Sequence, residues 1–218
     1  METLSRNLTV EKTARYWVSG NDNHKADRVV ILLHGYGMSA KNCLSLFQGL
    51  AAPGTLLVAP EGLSRFYSKG FFGDVVASWM TREERTQEIA DQMGYLDRLV
   101  DVITGELAPG YREIIVIGYS QGVATGSRWI KFRNGSGINK FVAWAGEIAP
   151  DVLEQGWPVN VPVLQVFSVT DNFISAETFQ KQAARLEAGS VSVKRHAYEG
   201  IHEVLPQTVL EVADILIS

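Results

Sequence analysis

Hydrophobic residues along this chain gather into short, nearly unbroken runs. Residues 29–33 read Val-Val-Ile-Leu-Leu, 56–58 Leu-Leu-Val, 114–117 Ile-Ile-Val-Ile and 163–167 Val-Leu-Gln-Val-Phe. Runs of this length with no polar alternation are the mark of strands covered on both faces, as in a parallel sheet. They predict strands at about 28–33, 55–59, 113–118, 140–145 and 162–168. Residues 191–195 (Val-Ser-Val-Lys-Arg) alternate instead, as an edge strand does, and extend the sheet over about 190–197.

Between the runs the period changes. Ile89, Met93, Leu96, Val100 and Ile103 recur at spacings of three and four and predict a long helix over about 81–107. Thr81-Arg82-Glu83-Glu84 has the form of a capping box at its start, and Pro109-Gly110 ends it. Further helices are expected at about 40–50, from about 123, at 175–188 and at 203–217. Residues 7–19 are expected to open the chain as an antiparallel hairpin. Strand–helix alternation of this kind implies an α/β fold, a mostly parallel sheet with helices on both faces. With no repeat, low-complexity tract or linker, residues 1–218 are expected to form a single domain.

The third run leads straight into Gly118-Tyr119-Ser120-Gln121-Gly122, followed by the helix-compatible Val123-Ala124-Thr125. A G-x-S-x-G pentapeptide between a buried strand and a helix has the context of a nucleophile elbow, with the serine exposed on a strained turn. The glycines are needed where neighbouring backbone leaves no room for a Cβ. The α/β-hydrolase fold requires the partners in chain order Ser, Asp or Glu, His. Asp171 lies in the polar turn after the run at 163–167, and His202 in the loop before the last helix. Both positions follow strand carboxyl ends, where open parallel sheets build their sites. Ser120 would then be the nucleophile, His202 the base and acid, and Asp171 the group that orients the imidazole. His34-Gly35-Tyr36-Gly37, after the first buried run, would supply one oxyanion-hole N–H from Tyr36. Gln121 would supply the other.

Each assignment has a rival. Glu147 follows the preceding strand and competes with Asp171 as the acid; Asp151 competes more weakly, because Pro150 suggests a simple turn. Asp171 could instead cap the helix at 175–188. His24, in a polar loop, and His196, within the last strand, compete with His202, while His34 is expected to serve the loop structurally. His202-Glu203 lacks the second histidine of an H-E-x-x-H site, so no metal is expected, and no cofactor.

Taken together, the His34-Gly35-Tyr36-Gly37 loop, the Gly118–Gly122 elbow and the Gly200-Ile201-His202 turn resemble the phospholipase/carboxylesterase family. That family comprises small α/β-hydrolases without a large cap, acyl-protein thioesterases and bacterial carboxylesterases among them. The likeness spans residues 29–203 and includes Ala59-Pro60-Glu61-Gly62. It implies a metal-free serine esterase or thioesterase acting on small to medium acyl esters. The chain departs from the family at the acid turn (Ser168-Val169-Thr170-Asp171-Asn172), in the Ile201 between Gly200 and His202, and in the aromatic stretch 61–79. A peptidase or acyltransferase would use the same machinery, and a binding protein could retain the pocket without the chemistry.

Composition narrows the partners. The chain is 46% hydrophobic and carries a net charge of −4. It has no basic stripe for nucleic acid and no apolar run of the ~18 residues a membrane span needs. The N-terminus has no apolar signal core, which suggests a cytoplasmic protein. A single cysteine, Cys43, excludes an internal disulfide and is expected in the core. Phe66, Tyr67, Phe71, Phe72 and Trp79 make the 61–79 stretch the expected source of specificity. Phe71, Phe72 and above all Trp79 are expected to wall a substrate pocket, with Trp79 affecting acyl-length preference more than stability. The alternatives for these rings are packing beneath the loop or a homodimer contact.

Overall fold

Seven strands form one sheet in the order β1-β3-β2-β6-β7-β8-β9, and every pairing is parallel except β1 with β3. The strands are β1 (Tyr16–Gly20), β2 (Arg28–Leu33), β3 (Thr55–Pro60), β6 (Glu113–Tyr119), β7 (Lys140–Trp144), β8 (Val163–Ser168) and β9 (Val193–Tyr198). β4 (Ser64–Lys69) and β5 (Phe72–Ser78) pair separately as an antiparallel hairpin. The helices are α1 (Ala40–Leu46), α2 (Arg85–Val102), α3 (Gln121–Phe132), α4 (Pro150–Gln155), α5 (Ala176–Ala188) and α6 (Pro206–Ile217). The computed structural model describes residues 3–20 and 26–217; His24 lies outside them.

The two-residue period of the strands builds two cores. Along β6, Ile114 and Val116 face α2, α3 and α4, whereas Ile115 and Ile117 face α1 and α6. Because both faces are covered, neither can be polar, which is why the strands read as continuous apolar runs. Cys43 is fully buried in the second core, and burial pushes its thiol up to about 12. Between β7 and β8 the chain folds only α4, so no large cap covers the sheet edge. No helix among the described residues is long and apolar enough to cross a membrane.

Four local expectations need correction. The opening hairpin is absent: residues 3–15 form no strand, and β1 pairs instead with β3, Tyr16 opposite Pro60. Local alternation cannot distinguish a hairpin from a strand whose partner lies forty residues away. The stretch 61–79 is not a loop but the β4–β5 hairpin. Thr81 does not start a capping box either. α2 begins at Arg85, and the Glu88 carboxylate accepts the Thr81 N–H. Finally, Pro150 opens α4 rather than a simple turn, as its fixed φ allows at a first helical position.

Candidate active site

β2 and β6 are sequence-distant but adjacent, and the chain leaves their carboxyl ends in opposite directions across the sheet. That is the switch point at which open α/β sheets form a crevice. The two loops meet there at backbone distance. A Cβ on Gly122 would lie 2.0 Å from the Leu33 carbonyl oxygen, and one on Gly118 would lie 2.5 Å from that of Gly122. Only glycine fits at either point. Ser120 between them has φ 52° and ψ −116°, a strained conformation for a residue with a side chain. The strain turns the hydroxyl away from the sheet and starts α3 immediately after it.

Two sequence-distant side chains line up behind that hydroxyl. His202 Nε2 lies 2.9 Å from Ser120 Oγ, and His202 Nδ1 lies 2.8 Å from Asp171 Oδ2. The Asp171 carboxylate is fully buried and the His202 imidazole is 15% exposed. Asp171 Oδ1 accepts the N–H groups of Phe173 (2.7 Å) and Ile174 (3.0 Å). An acceptor so occupied leaves Oδ2 to take the Nδ1–H, which places the free lone pair on Nε2, facing the serine. The loops carrying Asp171 and His202 are tied together, since Ser168 and Thr170 hydroxyls both donate to Gly200 O. Tyr119 completes the frame by donating to His202 O at 3.0 Å.

The rival residues are engaged elsewhere. Arg128, nearly buried, holds Asp151 in a two-point pair (2.9 and 2.6 Å) that keeps the carboxyl below its ordinary range. Glu147 accepts from Gln182 at 3.3 Å, and His196 pairs with Glu211 at 2.9 Å. Among the described residues no cluster of three or more His, Cys, Asp or Glu forms a metal-binding group.

The loop 34–38 is held from below. Gly62 N–H donates to His34 Nε2 (2.9 Å), so His34 Nδ1 carries the proton and donates to Gly35 O (2.7 Å). The ring is therefore a neutral imidazole, and burial is the main reason its pKa lies below the ordinary 6.5. An unfolded chain takes up a proton on this residue near 6.5 and the folded chain does not, so stability is complete above that pH and declines below it. Urea unfolding between pH 7 and 5 is expected to show this decline, at no more than about 1.4 kcal/mol per pH unit from His34. It should flatten in His34→Asn, and an equal slope in both proteins would exclude His34 as its source.

Gln121, at the first position of α3, has an N–H with no partner inside its own helix. Its side chain does a different job, which motif reading missed: it accepts from Trp79 N–H and donates to Met80 O, both at 3.0 Å. Gly37 N–H donates to Ala77 O at 3.0 Å. The β4–β5 hairpin is thus fastened to both the elbow and the loop 34–38.

The aromatic residues do not form the expected pocket wall. Trp79 is completely buried, stacks on His34 at 4.8 Å and donates to His34 O at 2.9 Å. It underpins the loop instead of lining an opening, because the chain enters the core where it leaves the hairpin. Trp79→Ala is therefore expected to lower unfolding free energy by about 3–5 kcal/mol in denaturant titrations. A change below about 1 kcal/mol with an altered acyl-length preference would return Trp79 to the pocket. Phe71 and Phe72 sit exposed at the hairpin tip. Six residue steps along β5 lead from Phe72 to Ser78, which places the tip about 20 Å from the end that touches Gln121. Tyr36 and Phe66 do meet, at 5.5 Å between rings, beside the loop 34–38.

Solved structures of the same fold include esterase PE8 (22% identity, 94% of this chain and 99% of that one, TM-score 0.73). Others are Zea mays acyl-protein thioesterase 2 (19%, 94% and 98%, 0.70) and a Mesorhizobium loti carboxylesterase (16%, 94% and 95%, 0.74). Among curated proteins, none matches the sequence. The sequence profile of the phospholipase/carboxylesterase family matches residues 18–217, so the chain belongs to that family of hydrolases.

Proposed function

We propose that the protein is a serine carboxylic-ester hydrolase that cleaves small to medium acyl esters or thioesters through an acyl-enzyme on Ser120. The observation that supports it is the continuous hydrogen-bonded series Ser120 Oγ, His202, Asp171 at the carboxyl edge of the sheet. In the first half-reaction Ser120 Oγ attacks the carbonyl carbon while His202 Nε2 takes its proton. The carbonyl electrons move to the oxygen, which the Tyr36 and Gln121 N–H groups would hold. The intermediate collapses, and His202 delivers the same proton to the departing alcohol or thiol. Water then repeats the sequence on the acyl-enzyme and restores Ser120. Asp171 stabilises the imidazolium without accepting its proton. The open sheet edge, with no large cap, suits freely accessible acyl groups.

A fluorophosphonate reacts only with an activated serine, so intact mass separates this reading from a non-catalytic binding protein. A single adduct is expected on the wild type and none on Ser120→Ala. A folded wild type that takes no adduct would reject the hydrolase reading.

A further inference from the structure

Phe173 has no part in proton transfer, yet it stands against the base. Its ring centroid lies 4.9 Å from that of His202, with the planes at 61°, and the side chain is 79% exposed. The placement is enforced. Asp171 Oδ1 accepts the Phe173 N–H at 2.7 Å while Oδ2 faces His202 Nδ1 at 2.8 Å. One carboxylate thus orients both the imidazole and the turn that carries the ring. Ile201, the residue before His202, is 54% exposed. Single exposed apolar side chains are ordinary on protein surfaces. Here one is pinned against the proton-transferring group and a second precedes it in sequence.

In acyl transfer the atom that this imidazole protonates belongs to the leaving group. It must come within about 3 Å of Nε2, whereas the carbonyl oxygen turns to the backbone donors. The carbons next to the departing oxygen or sulfur are therefore those that pass the imidazole and the ring touching it. We propose that Phe173 forms a leaving-group subsite that selects apolar alcohols or thiols, aryl or branched alkyl, over methyl or polyhydroxylated ones. The inference rests on the esterase reading above and specifies one side of its substrate. Covering about 50 Å² of apolar surface at such a contact corresponds to roughly tenfold in kcat/KM.

Acetate esters test it, because all share one acyl-enzyme and differ only in what departs. Relative to wild type, Phe173→Ala is expected to lower kcat/KM about tenfold for benzyl acetate and less than twofold for methyl and glyceryl acetates. Phe173→Leu should restore most of the benzyl value. Across p-nitrophenyl esters of increasing acyl length, the Phe173→Ala deficit should be constant. An equal loss for benzyl and methyl acetates would overturn the proposal and reduce the ring to a shield over the His202–Asp171 pair. A deficit that grows with acyl length would overturn it in favour of an acyl wall. Fluorophosphonate labelling of both proteins separates the two levels of the argument. If both label, the leaving-group comparison decides the subsite. If the wild type does not label, the esterase reading falls and the subsite with it.

Discussion

Alanine at Ser120 is expected to lower kcat by on the order of 10⁶ while leaving the fold intact. The size follows from the proposed concerted action: with the serine hydroxyl gone, a His202 base oriented by Asp171 would have nothing to activate. What remains, about 10³–10⁴ above the uncatalysed reaction, belongs to binding and to oxyanion stabilisation by the main chain. The fold should survive because, among the described residues, the Ser120 hydroxyl bonds only His202, while the turn itself is held by backbone, Ser120 N–H donating to Trp144 O at 2.9 Å. Alanine keeps the same strained φ of 52°, so stability should change by less than about 1 kcal/mol. Steady-state hydrolysis of a p-nitrophenyl ester, with urea unfolding as control, checks both halves. A loss below tenfold would mean that another group is the nucleophile.

Asparagine at Asp171 is expected to cost about 10⁴ in kcat, through the tautomer rather than through position. The geometry dictates which way the new amide points. The Oδ1 site accepts two N–H groups, from Phe173 and Ile174, so an oxygen must stay there. The amide NH₂ is left facing His202 Nδ1, where the carboxylate oxygen was. Nδ1 then becomes the acceptor and Nε2 carries the proton, with no lone pair for the Ser120 hydroxyl. The turn and the Phe173 ring should stay in place, so KM is expected to change far less than kcat. Large losses in kcat and stability together would point instead to a structural role for this buried carboxylate. Retention of more than a tenth of wild-type turnover would show that Asp171 does not govern the tautomer, and Glu147 would return as a candidate.

The long apolar runs made the sheet legible, because a strand covered on both faces leaves no polar position to confuse the pattern. β2, β3, β6 and β8 fall within two residues of their expected limits. Edges and ends were less legible. β1 is half-buried and has its partner far along the chain, so local alternation around residues 7–19 suggested a hairpin that does not form. The Thr81–Glu84 signature suggested a cap at a point where the Glu88 side chain takes the N–H instead.

The candidate site divides the same way. Local sequence determined the elbow: a buried strand, glycines at 118 and 122 where no Cβ fits, and a serine between them at a strained φ. It also set the chain order of Ser120, Asp171 and His202 and the glycine loop after β2. It favoured Asp171 as the acid but left Glu147 as a rival, because both follow strand ends. Only the packing of the 171 and 202 loops, joined through Gly200 O, brings one carboxylate rather than the other to Nδ1. Trp79 and Phe173 show why side-chain placement resists local reading. Both are large rings near the same crevice, and composition treats them alike. The hairpin's return into the core buries the first entirely, whereas an Asx turn around Asp171 leaves the second exposed against the base. Backbone conformation and apolar periodicity are set by neighbours in sequence. Which side of a ring meets solvent is set by elements that are distant in sequence and adjacent only after folding.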